Sequence, residues 1–242
     1  MPWAVGFITF INKNMTEDKS EESLIRRKRE NYRNQRQVIE LLKKFVNKRK
    51  PNLSLEVGCG DGYFSEMVSN LSKKIAAVDV NKRIADSVLR EKNVTFKIAD
   101  GRKLPFKGNT FDLVFSVDVV EHIDEDQQFI NESLRVLKKN GLLILVTPNK
   151  QRFSNRILSL LGINRRYPLI LGHDFMGEEV IHIREYAKNS LLKLINESRF
   201  KTKNVEIRGC FLGFSGNFGF VNCPKIFTNY CGSLFLTAER AA

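Results

Sequence analysis

The spacing of apolar residues changes character at Pro51. Over residues 20–50 the chain is dense in charge, and Ile25, Tyr32, Ile39, Leu42 and Val46 recur at near-helical intervals, which predicts one long amphipathic helix, or two, stopped by Pro51. Beyond it, short apolar runs alternate with helical segments. Strands are predicted over 54–57, 74–80, 94–98, 110–117 and 142–147, and helices over 63–71, 82–90 and 126–137. In the last of these helices Ile130, Leu134 and Leu137 form the stripe and Gly141 stands where a C-cap glycine belongs. Strands alternating with helices predict a parallel sheet covered on both faces. Right-handed crossovers then bring every strand's C-terminal end to one edge, where such sheets bind ligands. Over 149–186 the periodicity fades into a basic, irregular stretch with Arg152, Arg156, Arg165, Arg166, His173 and His182. A helix over 189–198 and strands over 202–207 and 233–238 follow, the two strands separated by a segment rich in Gly and Phe.

Composition narrows the class. The chain has 242 residues, with 40 Lys+Arg against 27 Asp+Glu, a formal net charge of +13. That length and apolar content describe a single globular domain with a decorated end, not a disordered chain. Cys59, Cys210, Cys223 and Cys231 are too few for a disulfide scaffold and read as buried or free thiols; no pair has the spacing of a thiolate zinc site. No apolar run reaches the ~20 residues of a membrane span. Residues 3–11 are apolar without the features of a signal peptide, so the expected location is cytoplasmic, and either Met1 or Met15 can serve as the start. Much of the positive charge, including Arg26, Arg27, Arg33, Lys43, Lys44 and Lys48, lies on the outer face of the first helix. That face is either simply solvated or a landing surface for an anionic substrate, nucleic acid or acidic lipid.

The segment Leu55-Glu56-Val57-Gly58-Cys59-Gly60-Asp61-Gly62-Tyr63-Phe64 carries the chemistry. It reads as a strand entering a glycine-rich turn and then a helix, where backbone approaches a ligand closely. A dinucleotide fingerprint needs a third glycine where this chain has Tyr63. Asp79 ends the second strand, placed to accept from ribose hydroxyls. Asp100 ends the third, before Gly101 and Leu104-Pro105-Phe106, and suits an adenine amino group. Two acidic strand ends with Gly-x-Gly-x-Gly favour S-adenosylmethionine.

At these positions the chain resembles the class I S-adenosylmethionine-dependent methyltransferases, over roughly residues 35–240. The resemblance includes Phe111-Asp112-Leu113-Val114, Glu121-His122-Ile123 and Leu137-Lys138-Lys139-Asn140-Gly141. It implies an α/β, doubly wound, Rossmann-like seven-stranded sheet, mostly parallel with an antiparallel last strand. It implies the cofactor's amino-acid end near Glu56, Gly58 and Gly60, the ribose at Asp79, the adenine at Asp100 and the methionine portion beside Ser116 and Val117. Cys59, Gly62, Val80 and Gly101 complete the expected cofactor set. Taken singly, Glu56 also fits a local backbone cap, Asp112 a turn residue and Cys59 a packing residue. The resulting division is an N-terminal extension and basic helix over 1–50 and a methyltransferase domain over 51–242, in which 149–187 is an insertion serving as lid and acceptor site.

Methyl transfer from a sulfonium is an in-line displacement, so the protein mainly orients two reactants and excludes water. A base matters when the acceptor must lose a proton. Asp118-Val119-Val120-Glu121-His122 resembles the Glu-x-x-Glu-His cluster with which quinone-biosynthesis and small-RNA 2′-O-methyltransferases hold a divalent ion, with Asp118 in place of the first Glu. Asp118, Glu121 and His122 are therefore candidate metal ligands, and His122 alone a candidate base, since metal-free relatives share the Glu-His pair. His182-Ile183-Arg184-Glu185-Tyr186 resembles a segment that lies over the acceptor pocket in small-molecule methyltransferases. It makes His182 a second catalytic candidate and Arg184 and Tyr186 candidate substrate contacts. The alternative is an Arg184–Glu185 surface pair with Tyr186 in the core. The Phe-rich 210–229 and basic 149–166 together suit a small, amphiphilic, anionic acceptor, such as a lipid-linked one met at the membrane periphery, with O-methylation as the expected chemistry. The competing readings are an RNA methyltransferase using the basic N-terminal helix and a cofactor-binding subunit without turnover.

Overall fold

In the computed structural model, which describes residues 36–163, 166–173, 179–210 and 225–242, one seven-stranded sheet organises the chain. Its strands are β1 (Leu53–Val57), β2 (Lys74–Asp79), β3 (Val94–Ile98), β4 (Phe111–Val117), β5 (Leu137–Pro148), β8 (Thr202–Cys210) and β9 (Ser233–Arg240), in the order β3-β2-β1-β4-β5-β9-β8. Pairs among β1–β5 are parallel, whereas β9 runs antiparallel to both β5 and β8, with Leu142 opposite Glu239 and Pro148 opposite Ser233. The expected sheet, with its antiparallel last strand, is the one observed.

The central strands are apolar throughout because both faces are covered. On β4, Val114 packs toward one core and Leu113 and Phe115 toward the other; on β5, Leu143 and Leu145 oppose Leu142, Ile144 and Val146. The first core receives α4 (Asp126–Val136) and α6 (Lys188–Asn196) through Phe129, Ile130, Leu134, Leu191 and Ile195. The second receives α1 (Arg36–Arg49) and α2 (Tyr63–Val68) through Val38, Leu42, Val46, Phe64 and Val68. Val38, Leu42 and Val46 are spaced by four, which is why α1 offers one apolar stripe. The rest of the predicted basic helix, over 20–35, lies outside the described residues, as do most of the Phe-rich segment, Arg165 and the side chain of His173.

Several local expectations are corrected. The helix expected over 82–90 shrinks to α3 (Asp86–Leu89), because Ala85 is extended, its N–H donates to the Asp61 carbonyl at 3.0 Å, and Ile84 is buried against Gly62. The helix over 63–71 turns 3-10 at Ser69–Leu71, where the Ser69 hydroxyl donates to Glu66 O at 2.9 Å. Gly141 is not a helix cap: α4 ends at Val136, the left-handed residue is Asn140 (φ 61), and a Cβ on Gly141 would meet Leu137 Cγ at 2.8 Å. Cys231 is disulfide-bonded, contrary to the free-thiol expectation, while Cys59 and Cys210 are free and buried. Spacing along a chain does not reveal which sulfurs meet across it.

Over the insertion the structure has α5 (Phe153–Leu160) and a two-stranded antiparallel hairpin of β6 (Leu169–His173) and β7 (Glu179–His182). Among the described residues no helix is long and apolar enough to cross a membrane.

Candidate active site

The turn after β1 is held by its own backbone and by the ends of two other strands. Gly58 and Cys59 both donate to Val78 O, at 2.8 and 3.0 Å, and Gly60 N–H donates to Asp79 Oδ2 at 2.9 Å. Gly58 has φ 77, and a Cβ there would lie 2.4 Å from Val119 Cγ2, so the turn and the loop after β4 pack too closely for any side chain. Gly62 (φ 82) caps α2, and its Cβ would meet Ile84 Cγ1 at 2.8 Å. Asp61 accepts from Tyr63 N–H at 3.2 Å through Oδ1, while its buried Oδ2 has no partner.

Around this turn the expected cofactor residues take distinct positions. Glu56 is buried and accepts a hydrogen bond from the Ser65 hydroxyl; burial pushes its carboxyl up to about 8, despite that hydrogen bond, so the neutral acid is held at pH 7. Asp79 accepts from Asn81 N–H at 3.1 Å through its other oxygen, and Val80 beside it is 60% exposed. Cys59 is buried and burial raises its thiol far above the ordinary range, which makes it an inert packing group. Ser116 donates to Val57 O at 2.8 Å, tying β4 to β1, and Val117 ends β4 beside the turn. A Cβ on Gly101 would stand 2.8 Å from the Phe129 ring, so this glycine is required by the helix packed beneath it. Asp100 is engaged by Arg102, which sequence reasoning missed. The guanidinium reaches Oδ1 at 3.1 Å and Oδ2 at 2.8 Å, holds that carboxyl below its usual range, and extends to Asp124 at 2.8 Å. Asp112 lies at the opposite edge of the sheet, accepting from Asn52 N–H, Leu53 N–H and Lys138, which is the turn role.

A second constellation forms at the same edge, on the 3-10 turn Val120–His122 and the end of β7. Glu121 is buried. Its Oε2 accepts from Thr147 Oγ1 at 2.9 Å, and its Oε1, without a hydrogen-bond partner, lies 4.0 Å from the Nε2 of both His122 and His182. Burial, with the nearby Asp118 charge, drives the Glu121 carboxyl well above its ordinary value. His122 Nδ1 is 2.6 Å from Ile181 O, which can only accept, so Nδ1 carries the proton and Nε2 presents a lone pair. His182 Nδ1 faces Glu185 Oε1 at 3.4 Å, which fixes the same tautomer. Burial also lowers the His122 pKa, favouring neutral imidazole.

Glu121, His122 and His182 thus bring three donor atoms within 4.8 Å of one another. Two imidazole rings and an orphaned carboxyl oxygen, each imidazole oriented by an outer acceptor, are a donor set that suits a divalent ion. The group differs from the expected Asp118, Glu121 and His122. His182 enters it from 60 positions downstream, and the Ile183 N–H to Glu121 O bond, 2.9 Å, carries the segment there. The signal was present in the His-x-Arg-Glu-aromatic run but gave no indication of which side chain it met.

The remainder of that run serves the wall. Glu185 would be raised by burial, but hydrogen bonds from His182, Arg152 and Tyr167 with the Arg152 charge overcome this and hold it at about 2. Arg152 approaches at 2.7 Å and the Tyr167 hydroxyl donates at 2.8 Å. Arg184 pairs with Asp126 at 2.5 Å rather than with Glu185, and the buried Tyr186 donates its hydroxyl to the same Asp126 at 2.7 Å.

Residues 55–145 match the sequence profile of a methyltransferase domain. A protein of Mycobacterium tuberculosis described as a "probable S-adenosylmethionine-dependent methyltransferase" is 34% identical over 101 residues, 41% of this chain and 37% of that protein. The mitochondrial ubiquinone biosynthesis O-methyltransferase of Candida albicans is 25% identical over 209 residues, 77% of this chain and 57% of that protein. The chain therefore spans less than two thirds of the length of these curated relatives. Among solved structures, a methyltransferase of Thermotoga maritima described as a "possible histamine N-methyltransferase" superposes with a TM-score of 0.61 at 15% identity, covering 90% of this chain and 96% of that one. The matched segment runs from β1 into β5 and contains the glycine turn, Asp79, Asp100 and the Glu121-His122 pair, on a sheet of the same architecture. By that profile, residues 55–145 match the methyltransferase-domain family, and the sheet that carries them has the class I S-adenosylmethionine-dependent methyltransferase fold.

Proposed function

We propose that the protein transfers the methyl group of S-adenosylmethionine to a hydroxyl of a small, amphiphilic acceptor. The observation that carries this reading is the convergence of Glu121 Oε1 with the two histidine Nε2 atoms, one loop away from the glycine turn at Gly58. The relation to a ubiquinone biosynthesis O-methyltransferase supports a hydroxyl acceptor. On the cofactor side, Gly58, Gly60 and Gly62 keep the turn free of side chains, Asp79 offers carboxylate oxygens to the ribose, and the open Val80 gives the adenine an apolar wall. Glu56, neutral until the cofactor's ammonium arrives, gives up its proton to pair with it. On the acceptor side, residues of 149–187 contribute His182 and the Glu185–Arg152–Tyr167 network that orients it. Without an ion, the His122 Nε2 lone pair takes the proton from the acceptor hydroxyl, with His182 beside it, and the closed wall of Arg184, Asp126 and Tyr186 limits water. A divalent ion held by Glu121, His122 and His182 would instead occupy those lone pairs, lowering the pKa of the hydroxyl and orienting it while its proton passes to solvent.

Calorimetric titration with S-adenosylhomocysteine, followed by transfer of labelled methyl to a panel of catechols and other hydroxylated aromatics, tests the reading. Wild-type protein should bind the product cofactor, and Asp79→Ala should weaken binding tenfold or more. Titration with Mn²⁺ and Zn²⁺ should show one site that is lost in His182→Ala. A folded protein indifferent to S-adenosylhomocysteine would reject the cofactor assignment. Transfer to amines but to no hydroxyl would reject the acceptor class.

A further inference from the structure

The edge of the sheet that carries the candidate site also carries, among the described residues, large apolar side chains left open to solvent. Helix α5 follows β5 off this edge, the 3-10 turn Lys225–Tyr230 precedes β9 on it, and the β6–β7 hairpin delivers His182 to the site. No residue of α5 is buried although half of it is apolar, and Leu160 and Leu161 at its end are 86% and 69% exposed. Ile170 and Leu171 are 59% and 50% exposed. Neighbours on a strand point to opposite faces, so exposure of both means that the hairpin projects from the body. Ile226 on the 3-10 turn is 79% exposed. The Arg156 guanidinium over the Tyr230 ring at 4.5 Å joins α5 to that turn, so these two elements form one continuous rim, with the hairpin on the same edge of the sheet.

We propose that this rim docks the protein onto an anionic phospholipid bilayer. Apolar side chains at projecting tips insert shallowly where a flat protein interface would leave them poorly packed. Lys150, Arg156 and Arg166 are interspersed along the same rim and complement lipid phosphates, with Glu179 an exposed acid among the described residues of the hairpin. Charge also decides against a second copy as the occupant, since two chains of net charge +13 repel when their basic rims meet. An exposed apolar surface rimmed by cations is a recognised mark of membrane contact. The docked orientation turns the mouth of the candidate site toward the lipid, from which an amphiphilic acceptor reaches Glu121 and the two histidines without crossing water. That last consequence rests on the methyl-transfer reading, whereas docking itself does not.

Co-sedimentation with vesicles tests the proposal without turnover. The full chain should pellet with vesicles of equal phosphatidylglycerol and phosphatidylcholine, at least tenfold more tightly than with phosphatidylcholine alone. Leu160→Asp with Leu161→Asp should weaken that binding tenfold or more, and Ile226→Asp should weaken it separately. Both variants change exposed side chains, and unchanged affinity for S-adenosylhomocysteine and unchanged circular dichroism would show them folded. Wild-type protein that stays in the supernatant overturns the proposal. So does a double variant that binds as tightly as wild type, which would put lipid contact elsewhere on the basic surface. A concentration-dependent dimer in sedimentation velocity that the double substitution dissolves, with no vesicle binding, would make the rim a subunit interface and also overturn it. If vesicles bind and no hydroxyl is methylated, docking stands and the functional reading falls.

Discussion

Replacing Gly58 by alanine probes the junction on which both halves of the site depend. Two costs add. An L-residue at φ 77 sits in the left-handed region, which costs roughly 1–2 kcal/mol relative to glycine. The new Cβ would also lie 2.4 Å from Val119 Cγ2 and 3.0 Å from Val119 Cγ1, well inside contact distance, so the loop after β4 must shift. Overpacking of this kind costs ~1–3 kcal/mol. Gly58→Ala is therefore expected to lose about 2–5 kcal/mol in urea denaturation followed by circular dichroism, a large share of the ~5–15 kcal/mol a domain typically has. The two costs separate in a double-mutant cycle. Val119→Ala removes both clashing methyls and leaves the backbone strain, so the pair should show a favourable coupling of ~1–2 kcal/mol. Affinity for S-adenosylhomocysteine should fall in the single variant and partly return in the double one. A Gly58→Ala protein within about 0.5 kcal/mol of wild type, or a coupling near zero, would refute the claim that the turn and the loop are in obligatory contact.

Glu56 makes stability depend on pH with a definite sign. Its carboxyl is raised from 4.5 in the free chain to about 8 in the fold, so the folded state binds the extra proton and stability is lost as pH rises through that interval. Wild-type protein should lose up to about 1.4 kcal/mol per pH unit there relative to Glu56→Gln. Equal slopes in chemical denaturation between pH 5 and 8 would contradict the burial argument. Asp112→Asn should cost about 1 kcal/mol, the net worth of a hydrogen-bond set of this kind, because Asp112 holds the entry to β1 and Lys138. Its calorimetric affinity for S-adenosylhomocysteine should stay within about twofold of wild type, since the residue lies at the far edge of the sheet; a larger loss would give Asp112 a cofactor role after all.

Much of this protein was legible in the order of its residues. The alternation of apolar runs with helical stripes determined the doubly wound sheet, because strands buried on both faces can be written only as continuous apolar runs, and Val114 between Leu113 and Phe115 fills both cores. The spacing of Gly58, Gly60 and Gly62, with Asp79 and Asp100 at strand ends, marked the edge of the proposed cofactor site for a similarly local reason. A backbone turn and a strand terminus are set by residues adjacent in the chain. Relations across the chain were beyond that reach. The meeting of His182 with Glu121 and His122, the reach of Arg102 to Asp124, and the separate partners of Arg184 and Glu185 depend on side chains brought together by the fold. So did the short α3, where Ile84 seated against Gly62 outweighed helix propensity, and Gly141, which proved to be a close approach to Leu137 rather than a helix cap. Local pattern is set by nearest-neighbour geometry and solvent exposure. Which distant groups share a proton, a charge or a wall is decided only when burial removes water from between them.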